Sequence, residues 1–79
     1  MRAMVIGTGR MGRLVREALD ERGHTVSAFI GRHENAGGSA LTPGRLKGID
    51  VAIELTTPTA ASANIARLLA AGVPVVSGT

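Results

Sequence analysis

The chain has 79 residues, of which 44% are hydrophobic and 1% aromatic, and it carries a net charge of +3. A chain of this length forms one small domain, 1–79, and the absence of cysteine excludes a disulfide framework and fits a cytoplasmic protein. No apolar run approaches the roughly 20 residues of a membrane span, and the arginines are scattered with a single aromatic residue among them. We therefore expect neither a membrane nor a nucleic acid as a partner.

The first thirty residues predict two strands joined by a helix. Residues 2–6, RAMVI, and 25–30, TVSAFI, are apolar and partly β-branched, which is typical of buried strands. Between them, 10–22 predicts an amphipathic helix, and Gly23 is a candidate left-handed cap. The apolar residues at helical spacing in this segment are Met11, Leu14, Val15, Ala18 and Leu19.

The rest of the chain predicts a glycine-rich loop and a second strand–helix–strand unit. Residues 31–48 hold five of the eleven glycines, which indicates a loop with room for one short turn. DVAIEL at 50–55 predicts a third strand, and VPVVSGT at the end of the chain begins a fourth. Between them, Thr57 and Pro58 are candidate helix-start residues. The apolar stripe expected for this helix is Ala61, Ile65, Leu68 and Leu69, and Gly72 ends the helix.

This order of elements, β-α-β-loop-β-α-β, predicts an α/β fold with a partial Rossmann-type parallel sheet. Right-handed crossovers give the strand order 2-1-3-4. The switch point then falls between strands 1 and 3, and ligands of open α/β sheets bind there, outside the carboxyl ends of the strands.

A glycine motif, G-x-G-x-x-G, lies at this switch point, directly between the first strand and the first helix. Gly7 permits a sharp turn, Gly9 lets the backbone approach a pyrophosphate, and Gly12 lets the helix pack closely on the strand. The free N–H groups at the helix start, 10–13, favour an anion. A strand-to-helix turn without a ligand is the alternative, but the strand and helix that flank the motif favour a dinucleotide.

The residue type at the end of the second strand bears on the choice between NADH and NADPH. An acid there would bind the adenosine ribose, but FIGRHEN has Arg32 at the expected place and no acid before Glu34. An arginine can pair with a 2′-phosphate, which favours NADPH. The alternatives are a solvated Arg32 and NADH as the cofactor; His33 is interpreted as a surface residue.

Small hydroxyl residues follow several of the predicted strands, and one acid lies within the third strand. The hydroxyl residues expected near the crevice, where they could orient a nicotinamide, are Thr8, Thr56, Thr57, Ser77 and Thr79. Thr57 serves equally well as a helix cap. Glu54 lies in an apolar strand, where a carboxylate must be hydrogen-bonded or paired. We favour a structural role for Glu54, tied to backbone N–H groups of the next loop, over a ligand contact.

Two stretches carry a resemblance to a known family: GTGRMGR after the first strand, and ELTTPTAASANIARLLAAGVPVVSGT across the third and fourth. They resemble the amino-terminal half of 4-hydroxy-tetrahydrodipicolinate reductase (dihydrodipicolinate reductase) of bacterial lysine and diaminopimelate synthesis. The resemblance implies the dinucleotide-binding domain of a cytoplasmic oxidoreductase. Such an enzyme transfers a hydride from NADPH or NADH to a cyclic unsaturated dicarboxylate.

The resemblance also implies roles for individual residues. The dinucleotide loop is matched by Gly7, Gly9, Arg10, Met11 and Gly12, with Thr8 inside it. Arg32 matches a basic residue that meets the adenosine phosphate in some members. The segments that flank the nicotinamide are matched by Thr56, Thr57, Gly78 and Thr79. The departures are a glycine loop shorter by one residue, Glu54-Leu55 for Asp-Phe, and Thr59 for Glu.

The family's substrate domain carries paired histidines, a catalytic lysine and a substrate-binding Ser-Gly-Thr loop. The sequence has no counterpart of that domain, and its own Ser77-Gly78-Thr79 belongs to the fourth-strand segment. We therefore expect a fragment or a simplified design that binds the cofactor, has no catalytic or metal-binding residue of its own and is inactive alone. The alternatives are another Rossmann oxidoreductase, such as an aspartate-dehydrogenase-like protein, and a non-catalytic nucleotide-binding module. An unpaired strand edge also leaves room for a homo-oligomer.

Overall fold

The computed structural model describes residues 1–78, so that Thr79, expected beside the nicotinamide, lies outside the described residues. Four strands, three α-helices and one 3-10 turn follow the predicted order. They are β1 (Arg2–Ile6), α1 (Arg10–Glu21), β2 (Thr25–Ile30), the 3-10 turn (Ala36–Gly38), α2 (Pro43–Leu46), β3 (Val51–Glu54), α3 (Pro58–Ala70) and β4 (Val75–Ser77).

The four strands form one parallel sheet in the order β2-β1-β3-β4, which confirms the predicted α/β topology. Ile6 of β1 lies beside Ile30 on one side and Glu54 on the other, and Glu54 lies beside Ser77. The carboxyl ends of all four strands therefore meet at the same edge of the sheet. The switch point lies at this edge, between β1 and β3.

One face of the sheet carries the hydrophobic core. Side chains of the strands pack there with Leu68 of α3 and with Ala40, Leu41 and Leu46, which come from the connection between β2 and β3. The prediction of a loop with one short turn was therefore incomplete for 31–48. This connection forms the 3-10 turn and α2, and it buries apolar side chains because no other described segment covers this part of the sheet.

The other face is packed by α1, and here the expected apolar stripe was only partly right. Gly12 is buried and Val15 and Leu19 are half-buried, whereas Met11 and Leu14 are 59% and 54% exposed. The position of a Cβ on Gly12 is taken by the Gly7 carbonyl, so the helix approaches the sheet closely at this point. That approach fixes the rotation of the helix, which leaves Met11 and Leu14 exposed.

A cation–π contact also holds α1 against the sheet. The guanidinium carbon of Arg16 lies 4.9 Å from the centroid of the Phe29 ring. Gly12 lies beside the same ring, since a Cβ added at Gly12 would be 3.6 Å from it. Gly12 and Arg16 therefore both hold α1 close to Phe29.

The start of α3 is confirmed, and its buried face agrees with the prediction at Ala61, Ile65 and Leu68 but includes Asn64 and not Leu69. Thr57 Oγ1 accepts a hydrogen bond from the Ala60 N–H at 3.4 Å, and Pro58 occupies the first turn. Asn64 is buried together with Ala61 and Leu68, whereas Leu69 is 61% exposed. The polar Asn64 takes this place because its amide is hydrogen-bonded inside the protein. Within 1–78, none of the helices has the length and hydrophobicity to cross a bilayer.

The packing of α1 gives a test of the fold. We expect Gly12→Ala to lower the free energy of unfolding by about 1–3 kcal/mol, since the added methyl meets a backbone carbonyl that cannot rotate away. Urea unfolding followed by circular dichroism measures this effect. Gly44→Ala is the matched control, because a Cβ at Gly44 has no neighbour within 4 Å among the described residues. Equal unfolding midpoints for the two variants would contradict the close approach of α1.

Candidate functional site

A cleft of about 870 Å³ lies at the carboxyl ends of the strands, at the predicted switch point. Three segments form its walls: the end of β1 with the glycine loop (6–9), the start of the connection after β2 (31–37), and the turn after β3 (55–57). Phe29, Ala60 and Asn64 complete the lining. The cleft therefore brings together residues that are far apart in the sequence.

Two of the three motif glycines are required by the packing of the protein itself. Gly7 has a φ of +116°, and a Cβ on it would lie 2.8 Å from the Leu55 carbonyl oxygen. Its N–H donates to the Ile30 carbonyl at 2.9 Å, which joins the loop to β2. Gly12 is in contact with the Gly7 carbonyl. Both glycines thus let backbone lie against backbone.

Gly9 differs from the other two glycines. Its φ of −74° suits any residue, and apart from its chain neighbours no described residue has an atom within 4 Å of the position of its Cβ. Gly9 also lines the cleft. Its missing side chain therefore leaves open space in the cleft and relieves no contact within the described chain, as expected for a cradle that a ligand fills.

The start of α1 offers backbone donors beside this space. The Arg13 N–H makes the first bond of the helix, to the Gly9 carbonyl at 3.0 Å. The N–H groups of Arg10, Met11 and Gly12 lie before this bond and have no acceptor within the helix. No acid lies in the first turn to compete for an anion. The Arg10 and Met11 side chains are exposed and lie outside the cleft lining. Their predicted roles thus depend on their backbone groups.

The wall after β2 carries charged side chains. Arg32, His33 and Glu34 all line the cleft. Glu34 forms a salt bridge of 2.6 Å with Arg45 of α2, and both side chains are roughly half exposed. The carboxylate of Glu34 is thereby balanced, which leaves Arg32 as a positive group on this wall. The Glu34–Arg45 pair has no signal in the sequence, because both residues lie in the glycine-rich connection.

The turn after β3 is held by a buried acid. Glu54 is fully buried, and its Oε1 accepts bonds from the Thr56 N–H and the Thr56 hydroxyl, both at 2.7 Å. This confirms the structural role predicted for Glu54. Thr57 is engaged as the cap of α3, so its helix-cap role is confirmed and its contact with a ligand stays a prediction.

Two asparagines that the sequence did not single out extend the bonding of Glu54: Asn64 binds Glu54, and Asn35 binds Asn64. Glu54 Oε2 accepts a bond from Asn64 Nδ2 at 2.7 Å, and Asn64 Oδ1 accepts one from Asn35 Nδ2 at 2.9 Å. One signal was available: Asn64 lies three residues after Ala61 and four before Leu68, on the face of α3 that packs on the strand containing Glu54. A polar residue at that position indicates a buried partner.

Of the other predicted residues, Gly78 lies beside the cleft. The Gly78 N–H donates to the Glu54 carbonyl at 2.9 Å, and a Cβ on Gly78 would lie 2.6 Å from Leu55 Cδ2, so Gly78 packs behind the turn after β3.

Among the residues that the structure describes, no group of His, Cys, Asp or Glu side chains could hold a metal ion. The predicted site residues that line the cleft are Gly7, Thr8, Gly9, Arg32, Thr56 and Thr57.

Comparison with known proteins identifies the family. No solved structure matches the chain. The family model described as dihydrodipicolinate reductase, N-terminus, matches residues 1–79. A match over the whole chain shows an oxidoreductase family whose amino-terminal domain binds a pyridine nucleotide. The chain belongs to the dihydrodipicolinate reductase family, as the dinucleotide-binding module of such an enzyme.

Proposed function

We propose that this chain is the cofactor-binding part of an NAD(P)H-dependent reductase of lysine and diaminopimelate synthesis in the cytoplasm. In the whole enzyme a hydride would pass from the nicotinamide to a cyclic unsaturated dicarboxylate. The observation that carries the proposal is the open space at Gly9, which lines the cleft and directly precedes the first N–H groups of α1. The chain alone is expected to bind the cofactor without turning over a substrate.

The pyrophosphate of the cofactor fits at the glycine loop. The N–H groups of Arg10, Met11 and Gly12 and the positive end of α1 would hold its oxygens. Gly9 has no side chain to keep the phosphates away from these donors. The bound group is an anion, and the acid that lines the cleft, Glu34, is balanced by Arg45.

The adenosine end fits against the wall after β2. Arg32 would hold the 2′-phosphate of NADPH through its planar guanidinium, which presents parallel N–H donors to phosphate oxygens. NADH lacks this phosphate and would lose that contact. NADPH is therefore the proposed preferred cofactor, with NADH as the weaker alternative.

The nicotinamide end fits at the turn after β3, where Thr56 and Thr57 line the cleft and Gly78 and Thr79 follow the neighbouring strand. When bound, the nicotinamide supplies the hydride. The part of this chain is to orient the ring: the Thr56–Thr57 turn, held by Glu54 and the helix cap, forms a firm wall beside it. The small residues leave room for a substrate on the open side of the ring.

The glycine loop gives a direct test of cofactor binding. We expect Gly9→Ala to raise the Kd for NADPH about tenfold, since its methyl enters the space where the phosphates would lie. Isothermal titration with a folded sample measures the affinity. Gly44→Ala is the matched control, because it adds the same methyl in open space outside the cleft. No heat with NADPH or NADH from the folded parent chain would refute the proposed function.

The choice between the two cofactors depends on Arg32. We expect Arg32→Gln to raise the Kd for NADPH about tenfold or more and to leave that for NADH within about twofold, because only NADPH carries the phosphate. Arg22→Gln is the control, since Arg22 is exposed at the opposite end of α1 and its replacement removes the same charge. An equal loss for both cofactors in Arg32→Gln would show that Arg32 does not select the phosphate.

A further inference from the structure

A chain of buried hydrogen bonds joins two walls of the cleft. It runs from the Thr56 N–H to Glu54, then through the side chains of Asn64 and Asn35 to the Ala40 N–H. Its four bonds are 2.7, 2.7, 2.9 and 3.0 Å long. We name these three side chains, Glu54, Asn64 and Asn35, the relay.

The relay has a fixed polarity because a backbone N–H, which can only donate, stands at each end. The Ala40 N–H requires Asn35 to present Oδ1, so its Nδ2 faces Asn64. Asn64 then presents Oδ1 to Asn35 and Nδ2 to Glu54, and only a carboxylate can accept both this bond and that from the Thr56 N–H. A carboxylate at position 54 is thus required, because both of its oxygens accept a hydrogen bond, one from each side of the relay.

The two ends of the relay are the two ends of the proposed cofactor site. Thr56 belongs to the turn beside the nicotinamide. At the other end, the Asn35 N–H donates to the Gly31 carbonyl at 3.1 Å and closes the turn that carries Arg32. Glu54, Asn64 and Asn35 are 0%, 3% and 8% exposed, so their mutual bonds are shielded from bulk water, and the bond from the Thr56 N–H is partly buried.

We infer that the relay is a positioning device that holds the Thr56–Thr57 turn and the Arg32 turn at a fixed separation, so that both can engage one bound dinucleotide. Glu54 and the two asparagines are positioning residues, and their effect on the cofactor passes through the two turns. This inference rests on the proposed function. It assigns to cofactor binding three residues with no role in the sequence-based prediction of the site.

The polarity of the relay supplies a sharp test. Glu54→Gln replaces one acceptor oxygen by an NH2 donor, so that two donors face each other at one bond of the relay. Rotating the side-chain amides by 180° shifts this mismatch to another bond of the relay but does not remove it. Asn64→Asp places two carboxylates against each other. The double variant Glu54→Gln with Asn64→Asp restores the pattern, because the introduced glutamine amide and Asn35 Nδ2 both donate to the carboxylate introduced on α3.

We expect each single variant to raise the Kd for NADPH about tenfold in isothermal titration, and the double variant to return within about threefold of the parent chain. Val73→Ala is the control for stability, since Val73 is buried in the core and lies outside the cleft lining. It should lose stability and, while folded, keep the parent affinity. This comparison separates positioning from a general loss of stability.

Amide hydrogen exchange gives a second measurement that needs no cofactor. Protection at Ala40 and Thr56 should fall in Glu54→Gln and return in the double variant. If the parent chain bound no NADPH, the proposed function would fail, and exchange would still decide whether the relay joins the two walls.

Two results would overturn the inference: parent affinity in a folded Glu54→Gln variant, or a double variant that binds no better than the single ones. If Glu54→Gln does not fold, recovery of both folding and affinity in the double variant supports the relay. A double variant that folds without recovering affinity overturns it.

Discussion

The contact of backbone with backbone at the glycine loop is the constraint on which the fold and the site both depend. Gly12 lies against the Gly7 carbonyl, and Gly7 lies against the Leu55 carbonyl, with no side chain between them. The first contact sets the distance and rotation of α1 on the sheet. The second sets the distance between the glycine loop and the turn after β3. A cleft with free N–H groups on one side and the Thr56–Thr57 turn on the other is the direct result.

This close packing leaves apolar side chains of α1 exposed to solvent. The helix cannot bury Met11 and Leu14 while Gly12 touches the loop, because these residues lie on other sides of the helix. Its attachment therefore depends on Gly12, on the half-buried Val15 and Leu19 and on the contact of Arg16 with Phe29. The hydrophobic core lies instead on the opposite face, under α3 and the connection after β2. The close approach at Gly12 thus limits the apolar surface that α1 can bury.

The features that could be predicted from the sequence are those that depend on residues close together in the chain. The strands, the glycine turn and the Thr57 cap each follow from a few neighbouring residues, and the strand order follows from the handedness of crossovers. The buried face of α3, and the burial of Ala40 and Leu41 in a glycine-rich segment, depend on contacts distant in sequence, which periodicity does not encode. Glu54 was predicted to need a hydrogen-bonding partner, but Asn64 and Asn35 became evident only once α3 and the connection were placed against the sheet.

The same distinction bears on where the proposed choice between NADH and NADPH would be made. The glycine loop is fixed by short backbone contacts, and the donors proposed to hold the pyrophosphate would suit any dinucleotide, since all of them carry that group. Arg32 lies in the part of the chain with the least regular structure, and its position depends on the bond from Asn35 to Gly31 and on the buried bonds of Asn35. Changes in this connection can therefore alter cofactor preference while the loop and the sheet stay intact. A buried polar relay suits this task, because its bonds are directional and specify one separation of the walls, whereas apolar packing would tolerate several.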